Sequence, residues 1–175
     1  MYVGHVGAAL GAKGIKSTIP LWALVIASQL PDWADGSVCL AGIRSSTPGM
    51  YSHSIPAVGV LTLIGALSYL LITRDAAGAG LIGALVISHA LGDYVTGIKP
   101  TWSGGPMIGL QLYRHPVLDF IVEAVVILAG WMIYRVSFPS EKRGTRQVWT
   151  MLGVLLAIQA FADIVFSLSP TLKKC

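Results

Sequence analysis

His89 and Asp93 stand four residues apart inside the apolar run Ala76 to Ile98, and no other feature constrains the chain as much. A run of this length spans a bilayer as an α-helix, because a helix satisfies its own backbone polar groups in hydrocarbon. Residues four apart share one helix face, about one turn from each other. Bulk water does not reach that depth, so the imidazole and carboxylate must pair, ligate a metal or line a wet cavity. The fold therefore has to bring partners to one buried point.

The remaining sequence supplies a membrane domain around it. The chain has 175 residues, 54% hydrophobic and 11% charged, with mean hydropathy +0.72. Soluble domains carry about a quarter charged residues. A single membrane-embedded domain over residues 1–175 is expected. The net charge of +4 is modest and scattered, which argues against a nucleic-acid partner. The first lysines follow an apolar stretch instead of preceding it, unlike a secretory signal. Cys39 and Cys175 are too few for a disulfide framework and lack zinc-ribbon spacing.

Four runs are long enough to span: Ile55 to Thr73, Ala76 to Ile98, Pro116 to about Tyr134, and Val148 to Leu168. Gly78, Gly80 and Gly83, with Ala77 and Ala79, predict close packing of the second. Upstream, residues 2–12 and the stretch from Pro20 to about Leu30 are each roughly half a span, the latter stopping at Pro31-Asp32. The expected architecture is all-α: a polytopic membrane protein with four transmembrane helices plus an N-terminal short helical hairpin. The open ends of that hairpin carry His5 and Asp32 to one level.

Alternation of the spans places the 36–54 and 99–114 connections on one side, here side one, and the 74–75 turn and 135–147 loop on side two. Asp32, Asp35 and His53 then belong to side one. His115 and Asp119 open the third span there, with Glu123 one turn deeper, and Asp163 lies near the side-one end of the last span. Counted from Ile98, His89 and Asp93 are about 14 and 8 Å deep. Of the eight acids only Asp75 and Glu141 fall elsewhere. Imidazoles and carboxylates gathered in this way suit a divalent metal, zinc before others, as one or two ions. The candidate ligands are His5, Asp32, His53, His89, Asp93 and His115. Bound zinc brings the pKa of its water to about 7. Asp35, Asp119 and Glu123 are the candidates for orienting that water or protonating a leaving group.

Plainer roles stand beside these. His89 and Asp93 can bond each other, His115 can cap the helix at Pro116, and Asp119 and Glu123 can form a polar lining. Asp163 and Gln159 can bond between helices. Arg44, Lys99 and Arg114 read as interfacial charges, and the five tryptophans as interface anchors.

The segments Leu30-Pro31-Asp32, Ser52-His53-Ser54 and His89-Ala-Leu-Gly-Asp93, followed by Thr96-Gly97 and preceded by His5, resemble the YdjM-type family of bacterial inner-membrane metal-dependent hydrolases. The resemblance covers roughly residues 1 to 125. It implies an inner-membrane, multi-pass hydrolase, and phospholipase-like activity is one expectation for that family. The ligand order is also similar to that of zinc-dependent phospholipase C. By that likeness Asp32, His53, His89 and Asp93 hold one ion, Asp93 and His5 share a second, and His115 with Asp119 begin a third. The histidine that group has ahead of this last pair is absent here.

The function expected is metal-dependent hydrolysis of a phosphoester in a membrane lipid or other interfacial substrate. There is no Gly-x-Ser-x-Gly elbow for serine chemistry. The alternatives are an ion- or proton-coupled transporter with a His/Asp relay, and a non-catalytic metal-stabilised scaffold. Basic residues divide five against five between the two sides, so Lys13 and Lys16 decide the orientation. If they join side two, that side is cytoplasmic and the site faces the periplasm or exterior.

Overall fold

The computed structural model describes residues 3–43, 45 and 47–168. Arg44, Ser46 and the tail bearing Lys173, Lys174 and Cys175 lie outside the described residues. Among the described residues the fold is all-α apart from a ribbon of two two-residue strands. Its helices are α1 (Gly4–Ile15), α2 (Leu21–Leu40), α3 (Ile55–Thr73), α4 (Ala76–Thr96), α5 (Pro116–Val136), the single turn α6 (Ser140–Arg143) and α7 (Arg146–Leu168). Among them α3, α4, α5 and α7 are long and apolar enough to cross a membrane. At 1.5 Å per residue each covers about 30 Å, the thickness of the hydrocarbon layer.

The hairpin differs from its expected form. α1 is short, but α2 runs through Pro31 to Leu40. An interior proline removes one backbone donor and normally costs about 3 kcal/mol. Here Pro31 is buried in the bundle, where neighbouring groups can take up the backbone acceptors that it leaves. α4 also ends at Thr96 instead of Ile98. His89 and Asp93 are therefore about 10 and 5 Å from its end, shallower than the sequence implied.

Caps fix the turns. Ser54 accepts from Ala57 N at the start of α3, and Asp75 accepts from Gly78 N at the start of α4. After α4, β1 (Lys99–Pro100) pairs antiparallel with β2 (Met107–Ile108), Lys99 opposite Ile108. The chain then folds over the end of α4, where Leu110 N and Gln111 N bond to Tyr94 O and Gly97 O. Those bonds occupy carbonyls that a helix end leaves without partners.

α1 lies at the centre. One face packs Ala9 and Ala12 with Leu24 and Ala27 of α2 and Ile82, Leu85 and Val86 of α4. The other side meets a cluster built from Ile127 and Trp131 of α5 and Val148 and Leu152 of α7, which Val3 joins. Gly4, Gly7, Gly11 and Gly14 repeat at three- and four-residue steps, so they form a flat stripe on one face. A Cβ on Gly7 would sit 2.7 Å from Ile127 Cα, and one on Gly14 would sit 2.6 Å from Ile133 O. A Cβ on Gly130 would collide with Gly7 O. The backbones of α1 and α5 therefore run parallel in direct contact, as small residues permit in membranes. In α4, Gly83 meets Thr62 and Ala66 of α3 and Gly78 meets Tyr69, whereas Gly80 faces open space.

The α1–α2 turn lies at the end of the bundle that carries the α3–α4 turn. Lys16 Nζ is 2.9 Å from both carboxylate oxygens of Asp75, and Lys13 Nζ bonds Ile19 O at 2.8 Å. Lys13 and Lys16 thus belong to side two. Trp131 departs from the interface-anchor reading: it is buried and donates to Val148 O at 2.9 Å.

Gly7→Ala is expected to lower thermal stability by at least the roughly 1–3 kcal/mol of an overpacked core. Gly80→Ala, with no neighbouring atom to strike, should leave it unchanged or higher. Unfolding of both variants in one detergent, followed by circular dichroism, checks this. Equal midpoints for wild type and Gly7→Ala would contradict the packing.

Candidate metal centre

Four side chains from three elements meet below the side-one end of α4. Asp32 comes from α2, His53 from the turn before α3, and His89 and Asp93 from one face of α4. His53 Nε2 is 3.2 Å from Asp32 Oδ1 and 3.0 Å from Asp93 Oδ2. His89 Nε2 is 3.5 and 3.7 Å from the same oxygens, and the two Nε2 atoms are 3.4 Å apart. Donors bound tetrahedrally at zinc distances stand about 3.3–3.4 Å from one another. The observed separations bracket that spacing, so this group could hold a metal ion.

The far ring nitrogens are already committed. His89 Nδ1 lies 2.7 Å from Ser28 O, which can only accept, so Nδ1 carries the proton. His53 Nδ1 lies 2.7 Å from Ser52 Oγ, and that hydroxyl donates to Asp35 Oδ1 at 2.8 Å. The hydroxyl hydrogen is thereby used, and His53 Nδ1 becomes the donor. Both rings then turn Nε2 lone pairs toward the two carboxylates, the arrangement of metal-binding histidines held by outer partners. Without a metal, a proton on His53 can separate these acceptors. Burial disfavours that proton, but hydrogen bonds to Asp32 and Asp93 outweigh it and hold the His53 pKa above its usual 6.5.

His5 adjoins the group. Its Nε2 is 3.2 Å from Asp93 Oδ1, and its ring stacks on His89 with centroids 3.7 Å apart. Asp93 therefore presents one oxygen to His5 and the other to the four-donor point. Lys99, read from sequence as an interfacial charge, places Nζ 2.7 Å from Asp93 Oδ2.

The other candidates occupy different places. Asp35 acts on His53 through Ser52 and borders a cavity of about 410 Å³ with Thr47, Pro48, Met50 and Tyr51. Glu123 is fully buried and accepts from Gly4 N at 2.9 Å, at the first turn of α1. Gln159 accepts from Val3 N at 3.0 Å and donates to Asp163 at 2.8 Å. Asp119 is buried and pairs with Asp163. These acids gather around the start of α1, beside the four donors and not among them. His115 is exposed at the N-cap of α5, makes no side-chain capping bond there and does not join the group.

Fold and site together define a polytopic α-helical membrane protein with a buried His/Asp group suited to a metal. No protein-family model, curated protein or solved structure matches the chain.

Metal analysis after chelator-free purification should find a divalent ion, and His89→Ala should lose it while the helical signal persists. Ser52→Ala, which breaks the link from Asp35 to His53, should weaken metal affinity about 10- to 100-fold. Wild-type affinity no tighter than that of His89→Ala would remove the site.

Proposed function

We propose that the protein is a membrane-embedded metal-dependent hydrolase acting on phosphoesters at the lipid interface. The observation that carries this reading is the gathering of donor atoms from Asp32, His53, His89 and Asp93 within 4.8 Å of one another, with both outer ring nitrogens already bonded. These four would hold one ion, and His5 with the second oxygen of Asp93 would hold another. The resemblance to the YdjM-type family and to zinc-dependent phospholipase C, drawn on these same residues, points the same way. A bound divalent ion supplies a Lewis acid and lowers the pKa of water to about 7.

The residues divide the remaining work. Asp32, with its side chain 38% exposed, is the donor on the open side of the group, whereas both histidines and Asp93 are at most 2% exposed. Asp35 holds the tautomer of His53 through Ser52. Depths of about 5–10 Å favour substrates whose reactive group lies at the headgroup level, which suits lipid phosphoesters. Metal-replete wild type should release phosphate or a phosphorylated headgroup from phospholipids or lipid phosphates. Asp93→Asn should abolish that release. Equal inertness of both proteins, each still carrying metal, would end the phosphoester reading.

A second reading has its own support. Four protein donors fill a tetrahedral shell, the pattern of structural zinc, and the protein would then be a metal-stabilised scaffold. The same screen separates the two.

With Lys13 and Lys16 on side two, that side carries seven basic residues against five and is assigned to the cytoplasm. The site then faces the periplasm or exterior of the cell membrane. Cysteine introduced at Ser140 should resist an impermeant thiol reagent applied to intact cells. Labelling there would reverse the orientation.

A further inference from the structure

We infer that Lys99 is the anion-binding residue of this centre and that it takes a phosphoryl oxyanion; the inference rests on the metal reading above. Lys99 Nζ lies 2.7 Å from Asp93 Oδ2, the same oxygen that faces His53 and His89. Its side chain is 20% exposed while that of Asp93 is 2% exposed. Lys99 therefore joins the buried donors to the surface.

Its position is built. Lys99 opens β1, opposite Ile108 of β2. The next residue is fastened by Tyr94 Oη, whose one hydroxyl hydrogen faces Pro100 O at 2.9 Å and His53 O at 3.2 Å. Ile55 N donates to Thr101 O at 2.9 Å, tying the strand to the start of α3. The ammonium is thus held over the site by the segment that positions His53.

Charge decides what it does there. Asp32 and Asp93 together balance one divalent ion. Lys99 then leaves an excess positive charge at the open edge, and a second ion would enlarge it. The Asp93 oxygen shared by Lys99 and the ion screens part of their repulsion, and a further anion bound by both would screen the remainder. Phosphate suits this position, since lysine binds it as a point charge and a divalent ion takes a further oxygen. Such an anion is either free phosphate or the phosphate of a lipid headgroup, and binding measurements distinguish them.

The experiment uses full-length protein loaded with zinc, as wild type, Lys99→Met and Lys99→Arg. Zinc content and affinity are measured first. Both variants should keep the wild-type stoichiometry, and Lys99→Met should bind zinc at least as tightly, because a competing positive charge is gone. Titration with inorganic phosphate should then show affinity about 10- to 100-fold weaker in Lys99→Met, the usual range for a lost charged hydrogen bond. Lys99→Arg should retain most of it. Nanodiscs containing phosphatidic acid, against phosphatidylcholine alone, test the lipid source. A Lys99-dependent preference for phosphatidic acid beyond that for free phosphate assigns the lipid headgroup, and equal behaviour assigns the phosphoryl group alone.

Wild type that binds zinc but neither phosphate nor phosphatidic acid overturns the inference. Equal phosphate affinity in zinc-loaded wild type and Lys99→Met also overturns it and leaves the metal centre standing. Wild type that binds no divalent ion removes the metal reading and this inference with it.

Discussion

The first turn of α1 is buried inside the bundle, and the rest of the structure depends on how that burial is met. The early N–H groups of a helix have no partners within it, and inside a membrane each unmet group costs several kcal/mol. Two of them are answered here by side chains from other helices: Glu123 of α5 for Gly4, and Gln159 of α7 for Val3. A carboxylate at a helix N-terminus also complements the positive end of the helix dipole. These contacts set the height of α1, and the next residue, His5, thereby reaches Asp93. The glycine stripe completes the placement, because α1 can enter this position only where its backbone meets that of α5.

Membrane crossing was legible from sequence because it depends on summed apolarity, which survives small errors at helix ends. All four expected spans are helices in the structure. The convergence of Asp32, His53, His89 and Asp93 was legible for a similar reason, since alternation of spans sorts residues by side whatever their packing. Pro31 was not legible. Its cost is local, whereas its burial among other helices is tertiary.

Glu123 and Lys99 show another limit. A buried acid in a span signals that a partner exists, without telling a catalytic proton carrier from a backbone cap. Its partner here is 119 positions away along the chain. Lys99 lies just past the apolar run, where lysines ordinarily reach for water. The folding back of β1 over α4 points it inward instead, and no periodicity records that. The spacing of Gly4, Gly7, Gly11 and Gly14 was a usable signal for the α1–α5 contact, stronger than the glycines of α4 because every step is three or four residues.

The donors also bear on how the fold holds together. They come from α2, from the turn that starts α3 and from α4, while His5 adds α1 through Asp93. An ion bound at this point would fasten elements that otherwise meet through alanines of α1 and α2 and the aliphatic side chains Leu24, Ile82, Leu85 and Val86. Lipid supplies no hydrophobic drive between helices, so such contacts hold by packing. Free energy of metal binding would then be free energy of assembly as well. The fixed donors that a metal-dependent catalyst would need and the fastening that a bound ion would give this bundle would come from the same four side chains. A structural and a catalytic role for the ion are therefore not exclusive here, and the difference between them lies in whether the open edge, at Asp32 and Lys99, admits a substrate.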